Sequence, residues 1–332
     1  MTRASNRRSL FILVYVFAAA LALAACSGGD SPAEKSAAAS PAAEQRETAV
    51  ASSSDPEAGS DAAALIGQAR AAMADVGRYA FTLHLVQKLS GGAAADSVFE
   101  VTNAGKAERS PLKLDQTIDS VQDGERSSLR AILVPDAYYV YDPSFEEWGK
   151  LSSEQAADIA RTLSDYQIDP AAALASAASL GTGLSSAREG GHDVVRYEGK
   201  GPEALAFLKH ILEGTLDLGS MDEAVQRSIA LKSLSVSFKL DAVTHLPLAY
   251  RVDSVMTIEY EPGAPSELSQ IFEGTYAKHG ATEAIAVPKA ALEAPELDPP
   301  IDDPEATEGD LGTLDGVDGL DGLDGLEGLD SY

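Results

Sequence analysis

One thiol, five imidazoles and a scatter of carboxylates are the groups in this chain that could do covalent or acid–base chemistry. The thiol is Cys26. As the only cysteine, it excludes a disulfide and a cysteine-type zinc site, and leaves one strong nucleophile. The imidazoles are His84, His192, His210, His245 and His279, far apart in sequence, and no two form the His-x-x-x-His pair that holds a metal on one helix face. No Gly-x-Ser-x-Gly elbow and no phosphate-cradling glycine loop occurs. Ser110-Pro111-Leu112-Lys113 does fit the Ser-x-x-Lys acylation motif. That chemistry needs the serine at a helix start, whereas Pro111 leads into an expected strand, and the Ser-Asp-Asn and Lys-Thr-Gly companions are absent. Glu146-Glu147 reads as a solvated hairpin pair and not as an acid/base couple. The residues point to a protein that is not an enzyme and holds no metal or cofactor.

What chemistry Cys26 undergoes is set by the residues before it. Arg3, Arg7 and Arg8 make a positive start, and Leu10 to Ala25 is an unbroken apolar run. A membrane span needs about 20 apolar residues, so the run suits a signal peptide better. Its end, Leu23-Ala24-Ala25-Cys26, resembles the lipobox of bacterial lipoprotein precursors. The resemblance implies that a diacylglycerol is attached to the Cys26 sulfur and that a peptidase cuts just before it. Small residues there let the peptidase approach the backbone. Residues 1–25 are then a signal peptide, and lipidated Cys26 holds the mature chain on a membrane. The expected place is the cell envelope, at the outer face of the cytoplasmic membrane. In a Gram-negative host, Ser27 in place of Asp favours the outer membrane.

The formal net charge is −27, unevenly spread. The stretch from Ala291 to Tyr332 has fourteen acidic residues and no Lys or Arg, residues 27–60 carry −4, and residues 61–290 carry −12. Without a basic face the chain is not a nucleic-acid binder, and electrostatic attachment to anionic lipid is excluded too, which leaves anchoring to the acyl chains. Residues 26–60 are the acylated cysteine and a Ser-, Ala- and Pro-rich tether with too little apolar surface to fold. As a coil, it spans on the order of 30 Å. Residues 291–332 are expected to be a disordered acidic tail. Glycine recurs at every third position from Gly316 to Gly328, but the proline that collagen needs is missing and no calcium-repeat spacing matches.

The folded part is expected over residues 61–290. Asp61 is a candidate N-cap for a helix whose apolar positions are Leu65, Ala69, Ala72, Met73 and Val76. The period then changes to two, with Tyr79, Phe81, Leu83 and Leu85 on one strand face. Strands are expected at 98–102, 113–120, 127–134, 137–141 and 194–197. A helical block separates these from the rest. Ser152 and Gln155 form a capping box before Ala156, Ile159, Leu163 and Tyr166, Pro170 opens an alanine-rich helix, Pro202 opens a third, and 222–229 make a short fourth. The alternation returns through Leu234, Val236, Phe238 and Leu240, then Leu248, Tyr250, Val252, Met256, Ile258 and Tyr260, and ends over 270–276. The fold class is α+β, a curved antiparallel sheet (half-barrel) with helices covering the concave face.

Two segments resemble a known family. Tyr139-Val140-Tyr141-Asp142-Pro143, followed by Trp148 and Lys150, resembles uncharacterised lipoproteins of Gram-positive bacteria. Asp241-x-x-Thr244-x-Leu246-Pro247, Gly274-Thr275-Tyr276-x-Lys278 and Val287-Pro288 fall in the same order as in those proteins. They are similar in turn to the LolA/LppX-like half-barrels, a superfamily of periplasmic and cell-surface lipid carriers. The resemblance implies a half-barrel that takes a lipid or another apolar ligand and brings no catalytic residues. The motif residues themselves read as structural, with Asp and Pro shaping turns. Leu83, Leu85, Val236, Phe238, Tyr250, Val252 and Ile258 are the candidate lining of an apolar cavity, although the same alternation also describes packed core. Two functions stay open, a lipid-binding protein or a structural or protein-interaction module of the envelope.

Overall fold

The computed structural model describes residues 56–92 and 96–297. The signal peptide, Cys26, nearly all of the tether and the acidic tail beyond Leu297 lie outside the described residues. Strand-forming sequence dominates, and it assembles one sheet of eleven strands. The first run is β1 (Arg78–Ser90), β2 (Ser97–Arg109), β3 (Leu112–Gln122), β4 (Glu125–Val134), β5 (Ala137–Asp142) and β6 (Glu147–Leu151). The second is β7 (Leu184–Glu189), β8 (His192–Gly199), β9 (Ala230–Asp241), β10 (Pro247–Glu261) and β11 (Ala264–Ala277). Each run is a meander, and β11 pairs antiparallel with β1, so the two join in the middle. β6 and β7 are left at the edges, and the sheet is an open half-barrel.

Alternation decides which residues face inward. Along β1 burial switches at each residue from Arg78 to Lys88, placing Tyr79, Phe81, Leu83 and Leu85 on the inner face. Helices cover that face. They are α1 (Pro56–Ala74), α2 (Ser153–Thr162), α3 (Asp165–Ile168), α4 (Pro170–Ala178) and α5 (Pro202–Leu216), followed by the short α6 (Glu223–Ser228). α2 to α4 form the crossing from edge strand β6 to edge strand β7. α5 buries Phe207 and Ile211 against the main core and Leu208, Leu212 and Leu216 against Met256, Ile258 and Leu268. Its apolar stripe is broad but one-sided, since Glu203, His210 and Glu213 are exposed on the opposite face.

Several expectations are corrected. The first helix starts at Pro56, upstream of Asp61, since proline fits a first helical turn. Its buried stripe is Ala62, Ile66, Ala69 and Met73, with Leu65 only half-buried, and Val76 is buried just past its end. The helix expected through Leu163 and Tyr166 breaks. Its capping box forms as expected, but Leu163 is extended and Ser164 caps a new turn, accepting from the Tyr166 N–H at 3.3 Å. β6 and β7 were not expected from alternation, because edge strands need bury only part of a face.

Chain order continues past residue 290. A last short helix, α7 (Lys289–Leu292), seats Ala291 and, with Ile285, covers Ile132, Ala137 and Tyr139 on the outer face. The segment then runs beside β6, where Lys150 N–H donates to Pro295 O at 3.0 Å and Leu297 N–H to Lys150 O at 2.8 Å. This covers one exposed sheet edge.

Candidate functional site

Beneath the α2–α3 crossing, the inner face of β1 to β5 is not completely filled. A cavity of about 80 Å³ remains there. Its floor is Leu83, Leu85, Val101, Leu129 and Val140, and its roof is Ile159, Thr162, Leu163, Ser164 and Gln167 from the crossing, with Gly214 and Thr215 at the end of α5. Phe99, Ile118, Ser120 and Leu163 are only half-buried and form the rim towards solvent. Moving inward along β2 and β3, the lining changes to Asn103 and Gln116, both buried. Gln167 reaches down from α3 and donates through Nε2 to Gln116 Oε1. No lining residue is charged.

The seven residues expected to line a cavity divide. Leu83 and Leu85 are in its wall. Val236, Phe238, Tyr250 and Val252 are packed in the main core, and Ile258 in the core around α5; none of these five lines the cavity. For Phe238 and Tyr250 the reason is Tyr166. This ring drops from α3 onto the second half of the sheet, with its centroid 4.5 Å from Tyr250, 5.2 Å from Phe272 and 6.2 Å from Phe238. It fills the space that those residues would otherwise enclose. Burial raises the Tyr166, Tyr250 and Tyr276 hydroxyls well above the usual phenol range, so they stay neutral, and of the three only Tyr276 has a hydrogen-bond partner.

Sheet tyrosines fix α3 in this position. Pro170 has no N–H, so the Tyr166 carbonyl cannot find its helical partner four residues on. Tyr276 replaces it, its hydroxyl donating to Tyr166 O at 2.5 Å, and Tyr79 donates to the next carbonyl, Gln167 O, at 2.9 Å. Arg109 adds a second tie, donating to Met73 O at 2.8 Å and to Asp169 Oδ1 at 2.8 Å. Beside Thr215 of the lining, Gln87 Nε2 donates to Gln270 Oε1 at 3.2 Å, a buried polar pair next to the cavity.

The groups considered for chemistry are dispersed. His84 lies on the outer face, Nε2 3.1 Å from Glu100 and Nδ1 3.5 Å from Glu273, and His210 is 3.2 Å from Asp165. Among the described residues no three His, Cys, Asp or Glu side chains are grouped to hold a metal. Ser110 and Pro111 make the β2–β3 turn, so the Ser-x-x-Lys match is not at a helix start. The family motifs are structural where they are described. Asp241 Oδ1 accepts from the Val243 N–H at 3.0 Å, the Thr244 N–H at 2.7 Å and the Thr244 hydroxyl at 2.9 Å. Gly274 is needed because a Cβ there would sit 2.3 Å from Thr82 O and 2.6 Å from the Tyr250 hydroxyl. Asn103, Gln116 and Gln167 were missed. The available signal was a polar residue at an inward position of β2 and of β3.

Among the described residues no helix is long and apolar enough to cross a membrane. Residues 61–296 match the Family of unknown function (DUF6612). Among solved structures the chain is similar to the lipoprotein LppX of Mycobacterium tuberculosis, with 13% identity and a TM-score of 0.35 over 68% of this chain and 99% of that one. LprF from Mycobacterium bovis matches at 9% identity and a TM-score of 0.36 over 69% and 97%. A LolA superfamily protein from Nitrosomonas europaea matches at 9% identity and 0.21 over 63% and 90%. No curated protein matches.

Proposed function

Because the chain belongs to the Family of unknown function (DUF6612), a description that carries no activity, we propose its function from the cavity itself. The protein is a non-enzymatic binding protein of the cell envelope, tethered through acylated Cys26, that takes a lipid or another apolar ligand between sheet and helical cover. The observation that carries this reading is the uncharged, mainly apolar cavity with a half-buried rim. Removing an acyl chain from water supplies roughly 0.8 kcal/mol per buried methylene. A space of about 80 Å³ takes only the end of such a chain, so deeper entry requires the cover to move. α2 is suited to that, since Ala156 is its one fully buried residue.

Native mass spectrometry of the mature chain carrying Cys26→Ser, with and without phospholipid or glycolipid, tests the proposal. Retained lipid mass is expected, and Leu85→Trp should abolish it, while Lys239→Ala on the opposite sheet face should not. No retained lipid would sink the carrier reading. The small volume favours a second reading in that event, in which the interior is core and the protein is an interaction module of the envelope. The anchor is tested separately. Cys26→Ala should leave the precursor uncut, and release of that variant at the wild-type position would refute lipidation.

A further inference from the structure

The inner end of the cavity is chemically unlike its rim. Asn103 is 1% exposed, yet its Oδ1 has no hydrogen-bond partner. Gln116 and Gln167, 4% and 2% exposed, lie in the same lining and bond to each other. A buried polar atom without a partner carries a penalty that a ligand hydrogen bond would remove. We propose that Asn103, with Gln116 and Gln167, is a recognition site for an uncharged hydroxyl, and that the ligand is a neutral amphiphile entering polar end first. The inference rests on the cavity being a binding site and specifies what it binds.

Charge and direction both support it. No Lys, Arg or His lines the cavity, so a carboxylate or phosphate carried to this depth would be a buried, unpaired anion. A hydroxyl both donates and accepts, and so satisfies an amide whichever way the amide is turned. The order along β2 is half-buried Phe99, then buried Val101, then buried Asn103. β3 repeats it, with half-buried Ser120 and Ile118 before buried Gln116. The polar end of the ligand therefore lies deepest, and its alkyl chain runs out past Val101, Phe99 and Ile118. Long-chain alcohols and acylglycerols can enter this way, whereas free fatty acids and phospholipids can enter only tail first and leave Asn103 unpaired.

Isothermal titration of the mature Cys26→Ser chain with n-octanol and with octanoate, well above the carboxyl pKa, tests the inference. Octanol is expected to bind roughly tenfold or more tightly than octanoate. Asn103→Leu should weaken octanol binding roughly fivefold while leaving the fold intact, since it removes an unsatisfied buried atom. Gln116→Met is a second variant expected to act in the same direction. Equal affinity for octanol and octanoate would overturn the recognition site but leave cavity binding standing. Full octanol affinity in both variants would do the same. Binding of neither probe, together with no retained lipid in the mass spectrum, would overturn the cavity reading itself.

Discussion

Tyr276→Phe removes one oxygen and tests how the helical cover is held. In the wild type that hydroxyl donates to Tyr166 O at 2.5 Å, in the place that Pro170 leaves empty. The variant keeps the ring, whose centroid lies 5.9 Å from Tyr79 and 5.7 Å from Tyr250, so packing is preserved. What is lost is the partner of a buried carbonyl, at a cost of about 1–3 kcal/mol. With 1 kcal/mol worth roughly 2–4 °C in a domain of this size, a mid-range loss lowers the thermal midpoint by roughly 4–8 °C. Tyr250→Phe is the control. Its hydroxyl is equally buried but has no hydrogen-bond partner, so its removal should be neutral or slightly stabilising. Differential scanning calorimetry of both variants decides the matter. If Tyr250→Phe loses as much as Tyr276→Phe, ring contacts and not the carbonyl bond hold α3, and the reasoning fails.

Three further outcomes are expected. Gly274→Ala places a methyl against Thr82 O and Tyr250, and should destabilise the fold by about 1–3 kcal/mol in denaturant unfolding; an unchanged midpoint would show that β11 can yield there. Truncation after Glu293 removes both backbone bonds to Lys150, and should lower stability relative to truncation after Leu297 by about 1–2 kcal/mol, a difference that equal midpoints would disprove. Hydrogen bonds from Thr244 N–H, then Val243 N–H, then the Thr244 hydroxyl hold the Asp241 carboxyl below its ordinary pKa. Its stabilisation is thus fully present above the unfolded value, about 3.9, and is lost as pH falls through the lowered one. The gap in thermal midpoint between wild type and Asp241→Asn should close in acid, and a gap independent of pH would contradict this.

β9 and most of β10 were legible because nearly all their inward positions carry large apolar side chains, Ser254 being the exception. Val236 and Phe238 are two residues apart on β9, and Tyr250, Val252 and Ile258 are an even number apart on β10, and alternation needs nothing else. β2 was legible only over 98–102, although it runs to Arg109. Its later inward positions are Asn103, Gly105 and Ala107, which are polar or too small to show a strong apolar alternation. β7 failed for a related reason, since only Leu184 of its six residues is fully buried. Asp241-x-x-Thr244 was readable as a turn because its hydrogen bonds are local. The β6 edge was not readable, because its partner, 294–297, comes from far along the chain.

Where the cavity lies follows from the same asymmetry. Periodicity says which residues face inward, but not what stands above them. Tyr166 belongs to a linker, and its landing on Tyr250, Phe272 and Phe238 depends on the break at Leu163, on Pro170 and on two tyrosines of a sheet more than a hundred residues of chain apart. The second meander offers it large apolar partners, so that half of the inner face closes. The first meander offers Asn103, Gly105, Gln116 and Ser120 at inward positions, where small or polar side chains cannot pack against α2 as rings do. Space is therefore left on that side, and polar groups border it. The irregularity that weakened the strand signal in β2 and β3 is the same one that makes the site.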